Sequence, residues 1–347
     1  MAEWSTPQMA AAAAAAATVG VVATLWATSA TGGGDAARAL WGGGSAGRRG
    51  GRRVVLVGAG PGSADLITVR GARAIAEADF LVHDRLVSPE LVAMAKPGVT
   101  LVNVGKAPTK KRFPQSEINQ ILVDLATNAH AHYKVPENAS IVRLKGGDPF
   151  IYGLGGDEVM ALREAGLACE VVPGLSSATA VPACAGIPVT QKGVATSFTV
   201  LTGHVAPGEP GAADWAHVPR QDATLVVLMG VKNMRKICSY LVSSVGWAAS
   251  TPAAAIQSGT TTGEVVVRGT LTTLADKAEQ ASLASPTILV IGQVCDVLEP
   301  GAVIPYAQLE NLAKASDGTS QASSWLPAPP RNIWGLARPP PSEEAEK

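Results

Sequence analysis

The chain has 347 residues, 47% of them hydrophobic and only 4% aromatic, with 37 glycines and 24 prolines. That balance fits Ala/Val/Leu-packed α/β layers, leaves room for about two domains plus tails, and excludes disorder as the state of the whole chain. Lys and Arg together number 28, as do Asp and Glu, so the formal net charge is zero and a globally basic surface made for nucleic acid is excluded.

Residues 1–52 differ in composition from the rest of the chain. The segment is Ala-rich, carries acids only at Glu3 and Asp35, and ends in Arg48, Arg49, Arg52 and the adjoining Arg53, the pattern of an organelle transit peptide. Met9 to Ala27 is long and uncharged enough to be weighed as a membrane anchor. Its alanines are only weakly hydrophobic, and Thr18, Gly20 and Thr24 dilute the rest, so no stable membrane insertion is expected. The expected location is the chloroplast, with the mitochondrion as the alternative.

The first strand, Val54 to Val57, runs into GAGPG (Gly58 to Gly62). A side chain at Gly58, Gly60 or Gly62 would block positive φ and hold a ligand away from the peptide N–H groups. The run superficially fits a dinucleotide fingerprint, with Asp79 and Asp84 near the spacing of a ribose-binding acid. Against that, Pro61 removes an N–H where a pyrophosphate needs donors, so a ligand held by phosphate is not expected.

Strands are read at Phe80 to Val82, Thr100 to Val104, Ile141 to Leu144 and Cys169 to Val172, with helices between most of them, the signature of a parallel sheet. The clearest helix is Gln115 to Ala126, where Ile118, Ile121, Leu122 and Leu125 share a face and Pro114 suits the first turn. His130 and His132 are read in a polar loop. A second helix spans Asp157 to Ala165, with Gly166 as its stop. The strand VRLK ends in GGDP, which adds Gly146 and Gly147 as bare backbone and puts the Asp148 carboxylate at the carboxyl edge of a sheet, where ligands of open α/β folds bind.

After GIPVTQ a new strand series begins at Phe198 to Leu201, Thr224 to Leu228, Ala253 to Ile256, Val265 to Val267 and Thr287 to Ile291. The expected division is a 1–52 extension, an N-terminal α/β domain with the ligand loops at 53–192, a C-terminal α/β domain at 193–304, and a Pro-rich tail at 305–347. Cys169, Cys184, Cys238 and Cys295 form no C-x-x-C pair, so reduced, buried thiols are expected and no metal site.

The ordered blocks LVGAGPGSADLIT, VHDRLVS, VGK, PQSEINQ, VRLKGGDPFIYG, VPGLSSATA, AGIPVT, TGH, TLVVLMG, TPAAAIQSGT and GTL cover about Val54 to Val297. In them the chain resembles the S-adenosylmethionine-dependent tetrapyrrole methylases, in particular the uroporphyrinogen-III C-methyltransferases. The resemblance implies two α/β domains of the tetrapyrrole methylase type with the active-site trough between them, and a homodimer. It also implies methyl transfer to two pyrrole carbons of uroporphyrinogen III, giving precorrin-2 for sirohaem or corrinoids, with S-adenosylhomocysteine as the other product. Carried over by motif, the cofactor contacts are Pro61, Gly146, Gly147, Asp148, Ile151, Ser176, Ser177, Met229, Ala254 and Gly259.

A sulfonium is already a reactive methyl donor, so the protein has mainly to align the reacting atoms, exclude water and relieve charge on the alkylated ring. Asp84 is the candidate base and Lys106 the candidate acid or substrate anchor, against a surface ion pair of Asp84 with Arg85 or Lys106. The KAPTKKR run, Lys106 to Arg112, and the polar residues Arg143, Lys145 and His204 are candidates for the substrate's carboxylates.

Departures from the family pattern are Ala107 and Leu154 where arginines are usual, Gln191-Lys192 for His-Arg, and a longer Thr127 to Asn138, read as a surface insertion. The alternatives are a methylase acting on a later corrin precursor and a cofactor-binding scaffold without turnover. Oxidation and metal insertion are left to a separate dehydrogenase and ferrochelatase.

Overall fold

The computed structural model describes residues 53–105, 113–133, 138–219 and 222–304. The readings placed on residues 1–52, on Lys106 to Arg112 and on the 305–347 tail lie outside the described residues.

Strands β1 (Arg53–Gly58), β2 (Phe80–His83), β3 (Thr100–Asn103), β4 (Ser140–Lys145) and β5 (Cys169–Val172) form one sheet in the order β3-β2-β4-β1-β5, with every pair parallel. The connections hold helices α1 (Val69–Glu77), α2 (Pro89–Val92), α3 (Gln115–Tyr133) and α4 (Gly155–Glu164). Side chains alternate across the sheet. Val54, Leu56, Phe80, Val82 and Ile141 pack on Ile118, Leu122 and Leu162 of α3 and α4, whereas Val55, Val57, Leu81 and Val142 pack on Ile75 and Leu91 of α1 and α2. With both faces covered, β1 and β4 are buried almost end to end, which is why they read as unbroken apolar runs.

Helix α5 (Ser177–Cys184) leads to a second sheet of β6 (Ser197–Thr202), β7 (Ala223–Leu228), β8 (Pro252–Gln257), β9 (Val265–Thr270) and β10 (Thr287–Ile291), ordered β6-β7-β10-β8-β9. Only β6 and β7 pair in parallel; the other pairs are antiparallel. One face carries α6 (Met234–Tyr240) and α7 (Leu274–Gln280), and the other packs Val226, Ala254, Ile256 and Val290 against Ala178 and Val181 of α5. The antiparallel pairings bring the carboxyl ends of β6, β7 and β8 to a single edge of this sheet.

Three readings are corrected. Thr127 to Tyr133 is not an inserted loop but the last part of α3, which puts His130 and His132 on a helix; no helix-breaking residue occurs before Pro136, and the Thr127 hydroxyl donates to the Val123 carbonyl at 2.8 Å. Helix α4 starts two residues earlier than read, after Leu154 in a left-handed conformation (φ 57°), and ends ahead of Gly166 at φ 73°. All four cysteines are free, but only Cys238 and Cys295 are buried; Cys169 and Cys184 are half-buried.

Candidate active site

At the carboxyl end of the first sheet, the loops after β1, β4 and β5 touch main chain to main chain. The Ala59 N–H donates to the Lys145 carbonyl at 2.7 Å. Gly60 and Gly147 exchange two hydrogen bonds, Gly60 N to Gly147 O at 3.2 Å and Gly147 N to Gly60 O at 2.8 Å. A Cβ on Gly58 would strike the backbone of Gly174 and sit 2.7 Å from the Gly147 carbonyl, and one on Gly174 would strike that same carbonyl. Of the five glycines read as conformationally required, only Gly60 (φ 81°) and Gly147 (φ 68°) have positive φ. Gly58 and Gly62 serve close approach instead, and Gly146 would meet nothing nearer than Leu86 at 3.5 Å. Gly147 differs from the rest: nothing lies within 4 Å of the place a Cβ would take. Of the stitched glycines, Gly147 therefore borders open space.

Asp148 fastens this cradle. Its Oδ1 accepts from the Phe150 N–H at 2.8 Å and its Oδ2 from the Gly174 N–H at 3.1 Å, joining GGDP to the loop after β5. Two residues on, Ser176 caps α5 by accepting from the Ala178 N–H at 3.2 Å, and Ser177 opens the helix.

The second sheet meets these loops at its own carboxyl edge. There Thr260 is buried and its Oγ1 accepts from the Ser63 N–H at 3.2 Å, directly beyond GAGPG; a Cβ on Gly62 would stand 2.8 Å from that hydroxyl. Gly259 lies so close to Val181 of α5 that no side chain fits. Tyr152, just past GGDP, donates its hydroxyl to the Val200 carbonyl of β6 at 3.0 Å. Met229 at the end of β7 and Ile151 are exposed apolar side chains, whereas Ala254 is completely buried in the core cluster under β8. Of the seven described non-glycine residues with positive φ, five (Tyr152, Leu154, Met229, Ser258 and Thr260) lie on these loops. Held strain of this kind collects where a fold over-determines a functional surface.

The charged residues form a chain beside the cradle. Arg143 and Lys145 are two apart on β4 and so point to the α3/α4 face, where their side chains are 2% and 3% exposed. They are therefore not free for a substrate's carboxylates, which corrects the sequence reading. Arg143 Nη2 donates to Asp84 Oδ1 at 2.6 Å and its Nε to Glu158 Oε1 at 3.1 Å, while Lys145 Nζ reaches the same Glu158 oxygen at 2.8 Å. Burial, then the nearby Arg143 charge, lower the Lys145 ammonium from its ordinary value. The Asp84 carboxylate is about one-third exposed, and its partner is the buried Arg143, not Arg85. Asp79 lies at the other end of β2 and cannot serve the carboxyl-edge site: it accepts from the Ser140 N–H at 2.7 Å and from Lys96 Nζ at 2.5 Å. Lys106 is outside the described residues. His204 is exposed after β6, its carbonyl and that of Gly203 accepting from Asn233 Nδ2.

Sequence reasoning missed Glu158, Gly174 and Thr260. Glu158 had a signal, since with Gly155 and Leu162 it sits on the buried stripe of α4, where a carboxylate has to be explained. Among the described residues no group of three or more His, Cys, Asp or Glu could hold a metal ion, and no helix is long and apolar enough to cross a membrane.

Residues 53–275 match the family model of tetrapyrrole (corrin/porphyrin) methylases. The chain is 44% identical over 248 residues to a uroporphyrinogen-III C-methyltransferase of Methanocaldococcus jannaschii, covering 71% of this chain and 98% of the relative. It is 42% identical over 260 residues to a siroheme synthase of Chromobacterium violaceum, covering 75% of this chain but 53% of the relative, so it spans about half the length of the siroheme synthases it matches. Among solved structures it is similar to a Thermus thermophilus uroporphyrin-III C-methyltransferase (TM-score 0.57, 37% identity, 71% of this chain and 94% of that one). It is similar also to a Thermus thermophilus uroporphyrin-III C-methyltransferase complexed with S-adenosylhomocysteine (TM-score 0.57, 35% identity, 71% and 100%).

Proposed function

The chain belongs to the tetrapyrrole (corrin/porphyrin) methylase family, and from that premise we propose that it methylates uroporphyrinogen III at two pyrrole carbons, giving precorrin-2 for sirohaem or corrinoid synthesis. It is a methyltransferase and its methyl donor is S-adenosylmethionine. The observation that carries the reading is the Gly60–Gly147 backbone pair bordering open space at Gly147. Backbone without side chains lets an adenosyl group and its amino-acid tail come close, and since the Gly60 and Gly147 N–H groups are paired with each other and Pro61 has none, it lacks the donors a pyrophosphate would need.

In this reading Pro61, Gly146, Gly147, Asp148, Ile151, Ser176, Ser177, Met229, Ala254 and Gly259 border the donor. Gly147 offers room for close approach, its N–H and that of Gly60 being spent on each other's carbonyls. Asp148 acts by fixing its loop as well as by its charge, and Ile151 and Met229 supply apolar surface. Ala254, without exposed surface, shapes the wall from behind. The bound donor supplies an electrophilic methyl group. The protein's part is to align it with a pyrrole carbon and keep water out. Asp84, partly open at the strand end, accepts the proton that the alkylated, positively charged ring sheds from a position other than the now quaternary methylated carbon, and Lys106 donates a proton or anchors the substrate. The four positive charges in Lys106 to Arg112 complement the substrate's carboxylates.

The reading extends to a homodimer of a chain with two α/β domains, 53–192 and 193–304, and to a plastid protein whose residues 1–52 are a transit peptide. A separate dehydrogenase and ferrochelatase would complete sirohaem. The test is incubation of the purified chain with uroporphyrinogen III and methyl-labelled S-adenosylmethionine. Two labelled methyl groups per macrocycle and the absorption of precorrin-2's oxidised form are expected. Cofactor binding without label transfer would sink the reading.

A further inference from the structure

We infer that Glu158 is a positioning residue for methyl transfer: through Arg143 it fixes where the Asp84 carboxylate points. The inference rests on the reading of Asp84 as the base.

Glu158 is completely buried, yet three donors converge on a single one of its oxygens. Arg143 Nε lies at 3.1 Å, Lys145 Nζ at 2.8 Å and Gln115 Nε2 at 3.2 Å, all from Oε1. Its Oε2 has no partner. A buried carboxylate with an idle oxygen is a poor stabilising device, because an apolar side chain of similar volume usually serves the core as well or better. What the arrangement does achieve is directional. The guanidinium is a rigid planar fork, so once its Nε is held by Glu158 and its Nη1 by the Leu144 carbonyl at 3.2 Å, the direction of its Nη2 is set. That third nitrogen meets Asp84 Oδ1 at 2.6 Å. Arg143 thus leaves the buried layer at one end only, and that end is the carboxylate at the strand edge.

Lys145 completes the logic. With Glu158 and Asp84 both anionic, Arg143 alone would leave one negative charge uncompensated in the buried layer; Lys145 balances Glu158 and frees the outward nitrogen of Arg143 for Asp84. A lysine in place of Arg143 could not do the same, since one ammonium cannot hold two carboxylates along fixed, divergent directions.

The test uses full-length chain and four variants: D84N, E158Q, R143K and the charge-balanced E158L/K145M pair. Each is measured for turnover with uroporphyrinogen III, for S-adenosylhomocysteine affinity by calorimetry, and for thermal unfolding. Misaimed Asp84 should lower kcat about tenfold or more in E158L/K145M and R143K, while cofactor affinity stays within about twofold, since displacement of a reacting group is felt in turnover first. E158Q keeps an acceptor for Arg143 and should lose less than either. Wild-type kcat in E158L/K145M, or in R143K should the pair fail to fold, overturns the inference. So does a parallel loss of cofactor affinity, which would mark a merely structural role. Wild-type turnover in D84N would instead remove Asp84 as the base, a different failure from that of Glu158.

Discussion

Alanine at Gly147 separates backbone strain from ligand contact. Gly147 has φ 68° and open space where a Cβ would stand. Gly166, beyond the end of α4, has φ 73° and equally open space, yet lies at a helix end away from the stitched loops. Left-handed backbone costs an alanine about 1–2 kcal/mol at either position, with no clash to add. For a folded region of this size that lowers the melting temperature by about 2–8 °C, and G147A and G166A should melt alike. Their affinities should part. In G147A the new methyl enters the space assigned to the donor, and S-adenosylhomocysteine should bind at least about tenfold more weakly, roughly 1.4 kcal/mol, whereas G166A binds as wild type. Calorimetric titration of both variants decides it: equal affinities would mean that the space at Gly147 is not where the donor sits.

Asp148→Asn turns one of two acceptors into a donor facing an N–H, and should cost about 1–3 kcal/mol and weaken S-adenosylhomocysteine binding; a variant with unchanged melting and affinity would remove Asp148 from the cradle. Thr260→Val deletes the acceptor for the Ser63 N–H while keeping a β-branched side chain, so about 0.5–1.5 kcal/mol should be lost with weaker cofactor binding, read by denaturant unfolding and titration. For Asp79, burial raises the carboxyl's proton affinity, but the Lys96 ammonium and the Ser140 N–H outweigh it and hold the group below its ordinary 3.8. Its contribution is therefore complete above that value and disappears as pH falls through the lower folded one, so wild type and D79N should converge in stability in acid; a constant gap down to the acid limit would contradict the pairing. Burial pushes the Cys238 thiol up to about 11 and Cys295 to about 12. At pH 8 these thiols are thiolate for about one part in a thousand or less, so a disulfide reagent should leave both intact until the chain unfolds.

Strands β1 and β4 were legible to within a residue or two because a parallel strand covered on both faces leaves an apolar run ending at its glycines. Helix α3 was undercut at Ala126 because the exposed, polar Thr127 and Asn128 break the apolar stripe while the helical hydrogen bonds continue to Tyr133. The antiparallel pairings of β8 and β10 had no local signature, since partner choice is settled by contacts distant in sequence. At the site, GAGPG and GGDP announced themselves through glycine. The roles within them did not: Gly58 and Gly60 look alike in the sequence, yet one makes room for Gly174 and the other supplies a left-handed turn. Arg143 and Lys145 read as substrate ligands because charge in a strand looks like charge at its end, and only the contact with Glu158 of α4, on the same face of the sheet, shows them buried.

The reciprocal pair between Gly60 and Gly147 also bears on how such a receptor can change over time. Peptide groups have no rotamers to freeze, so the entropy of ordering this surface is settled when the chain folds and little remains to be lost when a guest arrives. Exposed side chains projecting from the same turns, Phe150 among them, can then drift without altering the backbone pair.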